Sequence, residues 1–514
     1  MKLVLPPGID ASRFQRALAA FANVVGKEWV LSTDEDRDTY LDVYDGSAGA
    51  SHAAAAAVAP ADVAQVQAVL KVANQYRIPL WPISRGKNFG YGGAAPRMSG
   101  TVMLDLGRMN RIIEVNEKLG YCIVEPGVGF YDLHDHLKTN GIRLQPGVPG
   151  NGWGSVVGNA LERGFSGTIG DHSHNICGVE LVLPGGEVVR TGMGAMSNAA
   201  AWPLFKHGFG PSWDQLMVQS NFAVVTKLCL WLKPQDEMVI NIDIRLDRPE
   251  DIEWFTAAAT PLRLRGVVSG LVRLTSHLAS ATMGTLRREW YAGPGSIPDE
   301  VIERIKTRFG VGWWNGGLRI NGYSEVCEAQ LKIAQAELAR HTRQEFPVTR
   351  SRGDAGAGPS TNPLQVVGWY GGRGGHVGFS PAMPADGRLV REQFERTRRR
   401  YIEFGLDYSG TFYNDGRACT NVNLILYDRD DADMQRRVRE LFIALISDAK
   451  QMGYGEYRTH LSYMDEVADS FDFNGHSLRR LNERVKDALD PNGILAPGRN
   501  GIWPQAYRNQ RGKL

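Results

Sequence analysis

Hydrophobic positions along the chain switch repeatedly between a helical and a strand period. Val63, Val66, Val69, Leu70 and Ala73 recur at helical spacing after Pro60-Ala61-Asp62, an acceptable helix start, and predict a helix over 62–76. The run 78–83, IPLWPI, reads as a short strand entering a glycine-rich loop, Arg85 to Gly93. Apolar runs at 102–106, 122–124, 179–183 and 223–232 predict further buried strands, and Gly185-Gly186 predicts a hairpin turn. From about Met238 glycine thins out and charge density rises. There Ile240, Ile242 and Ile244 alternate as a strand, and helices are expected over 250–259, 325–340 and 388–403. The last is a charged surface helix running into Gly405-Leu406-Asp407-Tyr408. A final helix over 477–489 ends at Asp490-Pro491-Asn492-Gly493, a stop signal. The fold class this predicts is α+β, dense in glycine, with two domains and a C-terminal stretch that returns to the first.

Composition narrows the function classes. The 514 residues are 43% hydrophobic and 22% charged, enough for more than one globular core. Fifty-eight basic against 56 acidic residues leave a formal net charge of +2, and no long run of one sign points to nucleic acid or an anionic membrane. No stretch approaches the roughly 18 apolar residues of a membrane span, and the opening residues lack the apolar core of a secretory signal. Five scattered cysteines, Cys122, Cys177, Cys229, Cys327 and Cys419, argue against a disulfide framework and for a reducing, cytoplasmic location. The ending Gly512-Lys513-Leu514 departs from a peroxisomal address at its first residue.

Two glycine-rich loops carry candidate chemistry. In 82–93, PISRGKNFGYGG, glycines let backbone N–H groups approach an anion, a strand feeds the loop, and Arg85 and Lys87 supply cations. It is not a Walker A loop. In 152–159, GWGSVVGN, the spacing misses the dinucleotide fingerprint by one residue. Either loop alone is as consistent with tight turns as with a phosphate cradle. Together, with Glu125-Pro126-Gly127-Val128 between them, they favour a large phosphorylated cofactor.

These segments belong to an ordered series that resembles the flavoprotein family of vanillyl-alcohol oxidase, eugenol oxidase and p-cresol methylhydroxylase. The series runs PLWPISRGKNFGYGGAAP (79–96), YCIVEPGVGFYDLH (121–134), GSVVGNALERG (154–164), RTGMGA (190–195), GFGPSWDQLMVQSNFAVVTK (208–227), GLDY (405–408), GEYRTHLSYMD (455–465) and DPNGILAPGRNGIWP (490–504). The FAD segments mark a wider superfamily that includes 2-hydroxy-acid and lactone enzymes; GYGG with GEYRTH is specific to its phenol-oxidising branch. The resemblance implies an FAD-binding domain from residues 1–236 and 455–514 and a cap domain over 237–454. It implies that FAD is held by Ser84, Arg85, Gly86, Lys87, Asn88 and Gly90 in the first loop. Gly154, Ser155, Asn159, Glu162 and Gly164 would serve in the second, with Val224 and Arg499 beyond them.

The resemblance further implies that Tyr91, Tyr457 and Arg458 surround a phenolic oxygen. Removing a hydride from a benzylic carbon leaves a cation, which a para phenolate neutralises by becoming a quinone methide. A phenol's ordinary pKa is about 10, so ionising it is the activating step, and a guanidinium with two tyrosine hydroxyls suits the oxyanion. His376, in Gly374-Gly375-His376-Val377-Gly378, matches the histidine that binds flavin covalently in the oxidases of the family, where the hydroxylase uses tyrosine. An 8α-histidyl FAD is therefore expected, against a noncovalent flavin with His376 packed beside it. The implied reaction passes hydride to the flavin, after which water adds to the quinone methide or a proton leaves to give an alkene. Dioxygen reoxidises the flavin in an oxidase and cytochrome c in a dehydrogenase; His376 favours the oxidase. Relatives of this family are commonly dimers or larger, and a homo-oligomer is expected.

The match departs at two places. Relatives carry an aspartate just before their GSVVGN-like segment, where this chain has Gly150-Asn151, and Asn151 cannot act as a base at neutral pH. They also carry a Met-His-His run where this chain has Cys419-Thr420-Asn421. Asn151 and Thr411 are expected in the substrate pocket. Asp171-His172-Ser173-His174 with Cys177, and His134 with His136, hold ligand residue types without a recognised zinc spacing. No metal is assigned, and His134 and His136 are expected to face solvent. The competing functions are an FAD-dependent 2-hydroxy-acid or lactone oxidoreductase and a flavin-binding protein without turnover.

Overall fold

The computed structural model describes residues 3–45, 52–282, 284–353 and 358–512. Four strands, β1 (Val30–Leu31), β2 (Ala56–Val58), β3 (Leu80–Ile83) and β4 (Val102–Asp105), form a sheet in the order β1-β2-β4-β3, with β2 and β3 each parallel to β4. β2 and β3 run parallel on either side of β4, and the helix Val63–Tyr76 supplies the crossover that joins them. The Asp62 carboxylate caps that helix by accepting from Gln65 N at 2.8 Å, and its apolar face, Val66, Val69, Leu70 and Ala73, is buried.

A second sheet is antiparallel, from β5 (Ile112–Asn116), β6 (Tyr121–Val124), β7 (Ile176–Val182), β8 (Val188–Arg190) and β9 (Val224–Trp231), in the order β8-β7-β9-β6-β5. The expected hairpin turn at Gly185-Gly186 joins β7 to β8. The C-terminal stretch packs onto this part of the molecule. Leu80 N donates to Ile494 O at 2.6 Å and Ala496 N donates to Leu80 O at 2.7 Å, so residues 494–496 extend the edge of β3. A buried ion pair fixes the approach: Lys486 Nζ lies 2.7 Å from the Asp490 carboxylate and also donates to Asn221 O and Leu495 O. Asp490 in turn accepts from the backbone N–H groups of Ile494 and Leu495. Every charged atom of the pair is thereby satisfied, which a buried pair requires.

The middle of the chain builds one large sheet. Its strands are β10 (Met238–Leu246), β11 (Val272–Ser276), β12 (Trp314–Gly322), β13 (Val348–Arg352), β14 (Gly374–Phe379), β15 (Pro381–Pro384), β16 (Gly410–Asn414), β17 (Ala418–Asp428) and β18 (Gly455–Glu456). The order is β13-β10-β12-β11-β16-β17-β15-β18, with β14 also paired to β17. Ile240, Ile242 and Ile244 all point from β10 into the core, as their alternation predicts. Helices Ile252–Leu264, Ser324–Leu338 and Gly387–Glu403 correspond to the three expected there. The third buries Val390, Phe394 and Tyr401 beneath its charged side. Two long helices, Ala11–Val25 and Ala432–Gln451, are absent from the hydrophobic reading. In the second, only Val438, Leu441, Phe442, Leu445, Asp448 and Ala449 are buried, among six other charged residues and further polar positions, so the apolar stripe is narrow. His134 and His136 lie on the helix Phe130–Thr139 half-buried, not fully solvent-facing, because the 358–360 segment passes over His134.

The GLDY segment turns inward. The Asp407 carboxylate is wholly buried and accepts from Ile297 N at 2.7 Å, Arg287 Nε at 2.8 Å and Trp369 Nε1 at 2.9 Å. Asp407→Asn removes the charge that Arg287 balances and leaves one of the three donors without an acceptor. The expected cost is about 3–5 kcal/mol, read as a large fall in thermal stability; a change within the scatter of surface substitutions would contradict this account of the cap.

Candidate active site

The glycine-rich loops and the inner face of the large sheet enclose a cavity of about 510 Å³. The first loop is stapled by one side chain. Asn88 Oδ1 accepts from Tyr91 N at 3.2 Å and Gly93 N at 2.9 Å, while Asn88 Nδ2 donates to Gly93 O at 2.8 Å. Gly90 has φ +78°, and a Cβ there would lie 2.5 Å from the His376 ring, so only glycine lets loop and imidazole meet. In the second loop Ser155 caps the short helix Val156–Leu161, and a Cβ on Gly158 would fall 2.4 Å from Ser84 Oγ. The two loops are also tied by Asn151, whose amide donates to Lys87 O and accepts from Trp153 N at 3.1 Å. A carboxylate at 151 could not make the first of these bonds, which accounts locally for the asparagine.

Strand alternation equips the opposite wall. The pairs Arg273–Tyr413 and Thr275–Thr411 face the cavity from β11 and β16, Val422 and Leu424 from β17, and His376 and Gly378 from β14. Of Cys419-Thr420-Asn421, only Thr420 shares the side of Val422; Cys419 and Asn421 are buried on the other. From the end of β18, Tyr457 and Arg458 enter the cavity opposite Tyr91. The Arg458 guanidinium carbon lies 4.0 Å from the Tyr91 ring centroid, and among the described residues its buried Nε has no partner. Burial, with the Tyr91 hydroxyl beside it, pushes the Tyr457 phenol well above its ordinary pKa, so it stays a hydrogen-bond donor. Phe165 closes the ring of aromatics, 4.7 Å from Tyr413 and 5.9 Å from Tyr457 between centroids.

His376 is buried against Phe89, at 4.3 Å between centroids, and among the described residues its Nδ1 has no hydrogen-bond partner. Burial depresses its pKa to about 3, so the imidazole is neutral at physiological pH and keeps a free lone pair. Behind Tyr457, burial also pushes the Glu456 carboxyl well above the usual range, while both its oxygens accept from Ser380 N.

Ser84, Gly86, Lys87 and Asn88 from the first loop line the cavity, as do Gly154, Ser155, Asn159, Glu162 and Gly164 from the second. Val224, Arg499, Asn151, Thr411, Tyr91, His376, Tyr457 and Arg458 join them. Two expected residues do not. Arg85 is drawn aside into an ion pair with Asp132 at 2.6 Å, a carboxylate on the next helix, and Gly90 contacts His376 instead of the cavity. Arg499 is paired with Glu162 and lies over the Trp81 ring at 5.3 Å. His172 is held by Asn159 Oδ1 at 2.6 Å and Ser166 Oγ at 3.0 Å, which leaves neither ring nitrogen for a metal. A glycine-floored cleft with an unpartnered imidazole nitrogen and an unpartnered guanidinium suits a large flat cofactor and an anionic ligand beside it.

Comparison with known proteins matches this geometry. A family model described as an FAD binding domain matches residues 54–192, and one for the C-terminal domain of FAD linked oxidases matches 325–500. The 4-cresol dehydrogenase [hydroxylating] flavoprotein subunit of Pseudomonas putida is 34% identical over 513 residues, 97% of this chain and 98% of that protein. The chain belongs to the vanillyl-alcohol oxidase and p-cresol methylhydroxylase flavoprotein family. A solved 4-ethylphenol oxidase from Gulosibacter chungangensis, in complex with isoeugenol, superposes with a TM-score of 0.94 at 32% identity, over 98% of this chain and all of that one. Substrate-bound p-cresol methylhydroxylase superposes at 0.93 and 32%, over 97% and 99%. Like its family, the chain has the two-domain FAD-binding fold and is an FAD-dependent oxidoreductase.

Sequence reasoning missed Phe165, Arg273, Thr275 and Tyr413 on the cavity wall. Their only signal is the alternation of Arg273 and Thr275 with buried Val272, Leu274 and Ser276. That pattern reads as a solvent-facing edge until the sheet is assembled.

Proposed function

We propose that this flavoprotein oxidises para-substituted phenols at the benzylic carbon and returns its electrons to dioxygen. The observation that carries the reading is the Arg458 guanidinium, unpartnered and stacked on Tyr91 beside a protonated Tyr457. A fixed cation and two phenolic donors stabilise an oxyanion far more than water does in a site that excludes solvent. The residues thus hold the substrate as its phenolate, and the ring's negative charge weakens the benzylic C–H bond. FAD, held by the two glycine-rich loops of a unit formed by residues 1–236 and 455–514, supplies the hydride acceptor; residues 237–454 cover the reaction. With Asn151 committed to Lys87 O, no carboxylate serves at that position to activate water, so hydration of the quinone methide relies on water itself.

The neutral His376 is the proposed point of covalent attachment, since a nucleophile needs the unprotonated ring. A dehydrogenase that passes electrons to a cytochrome c is the second reading, and the likeness to a dehydrogenase subunit over nearly the whole chain favours it.

Three measurements test these statements. Tyr457→Phe and Arg458→Ala each lower kcat/KM for 4-ethylphenol or vanillyl alcohol by on the order of 100-fold or more, and the 4-methoxy analogue is not turned over; retained activity would favour a 2-hydroxy acid or lactone as substrate. Acid precipitation of the wild type carries the yellow colour into the pellet, whereas His376→Ala releases it to the supernatant. Stopped-flow mixing of the reduced protein with air restores the oxidised spectrum within a second; recovery over minutes, accelerated by cytochrome c, identifies the dehydrogenase.

A further inference from the structure

Arg273 also lines the cavity, and the phenolate site does not use it. It projects from β11 beside Tyr413 of β16, one register step from Thr275 and Thr411, whose hydroxyl oxygens are 3.2 Å apart. Among the described residues its guanidinium has no hydrogen-bond or ion-pair partner. Three other arginines near the active site and in the cap are engaged, Arg85 by Asp132, Arg287 by Asp407 and Arg499 by Glu162. The cavity lining also includes the apolar residues Ala279, Pro363, Val366, Val422 and Leu424. Arg273 is exposed in the open cavity; once a bound molecule displaces the water there, the Arg273 charge needs an anion to meet it.

Tyr413 shows where this charge stands relative to the phenolate site. Burial raises its phenol pKa, the Arg273 charge opposes that rise, and Tyr91 adds to it, so Tyr413 is within electrostatic reach of both. Between ring centroids Phe165 is 4.7 Å from Tyr413 and 5.9 Å from Tyr457, so these rings link the Arg273 side of the cavity to the Arg458 side. One guanidinium fork flanked by two hydroxyls matches a planar, singly charged, two-oxygen group better than a phosphate dianion.

We propose that Arg273, with Thr275 and Thr411, anchors a carboxylate on the substrate's para side chain, so that the substrates are 4-hydroxyphenyl alkanoic acids. The proposal rests on the phenol-oxidising reading and narrows it. The phenolate binds at Arg458, the carboxylate at Arg273, and the benzylic carbon lies between them. The bond changes are those already described: the benzylic C–H bond gives its hydride to the flavin, the phenolic proton is lost, and the side-chain carboxylate is unchanged.

The test compares 3-(4-hydroxyphenyl)propionate with 4-propylphenol, which has the same chain length and no charge. The wild-type holoenzyme has the higher kcat/KM for the acid, through a lower KM. In Arg273→Gln the ratio of the two kcat/KM values falls on the order of 100-fold, and Arg273→Lys recovers part of it. A wild type that prefers 4-propylphenol, or a ratio unmoved in Arg273→Gln, overturns the proposal. If neither phenol is oxidised, the phenol-oxidising reading fails by itself. Anaerobic titration of the flavin absorption with the acid then decides the carboxylate anchor: a Kd raised in Arg273→Gln upholds it, and an equal Kd overturns it.

Discussion

The arrangement of the cavity depends on how the chain is held at Ser380. Its backbone N–H donates to both oxygens of the buried Glu456 carboxyl, and its carbonyl accepts from Tyr457 N at 3.2 Å. These bonds clamp residues 455–458 to the turn between β14 and β15, while Gln219 Nε2 holds the Tyr457 carbonyl at 2.9 Å from the other side. Because the clamp is at the end of the strand that carries His376, it sets imidazole, phenol and guanidinium at fixed offsets within one small volume. Burial pushes the Glu456 carboxyl well above its ordinary range, and the Ser380 N–H bonds oppose that rise.

The same economy of charge runs through the rest of the interior. Buried carboxylates are matched in full, Asp407 by three donors and Asp490 by a lysine and two backbone groups. The cations are treated differently: Arg85 and Arg499 are paired, while among the described residues Arg458 Nε and the Arg273 guanidinium have no protein partner. In a low-dielectric pocket such omissions define where an anion fits, and their spacing defines the shape of the molecule that carries it.

Much of the fold was legible locally. The helix at 63–76 follows from Asp62 and five apolar positions, the strand at 238–246 from three alternating isoleucines, and the β7–β8 turn from a glycine pair. Glycine-rich loops with cations announced a bound anion, and the GYGG and GEYRTH segments pointed to the residues that meet across the cavity. The helix at 432–451 was hidden because ion pairs such as Arg436 with Asp433 and Glu440 crowd its sequence with charge around a narrow buried stripe.

The sequence by itself determined which residue types were available for chemistry, and that the chain would fold as α+β around glycine-rich loops. Tertiary structure alone decided which cations remain free. Nothing in their local sequence tells Arg85 and Arg273 apart as free or paired, yet one is captured by Asp132, a neighbour 47 positions away, and the other faces the cavity. Charge pairing depends on distances of a few ångströms between segments remote along the chain, and periodicity carries no information about those distances.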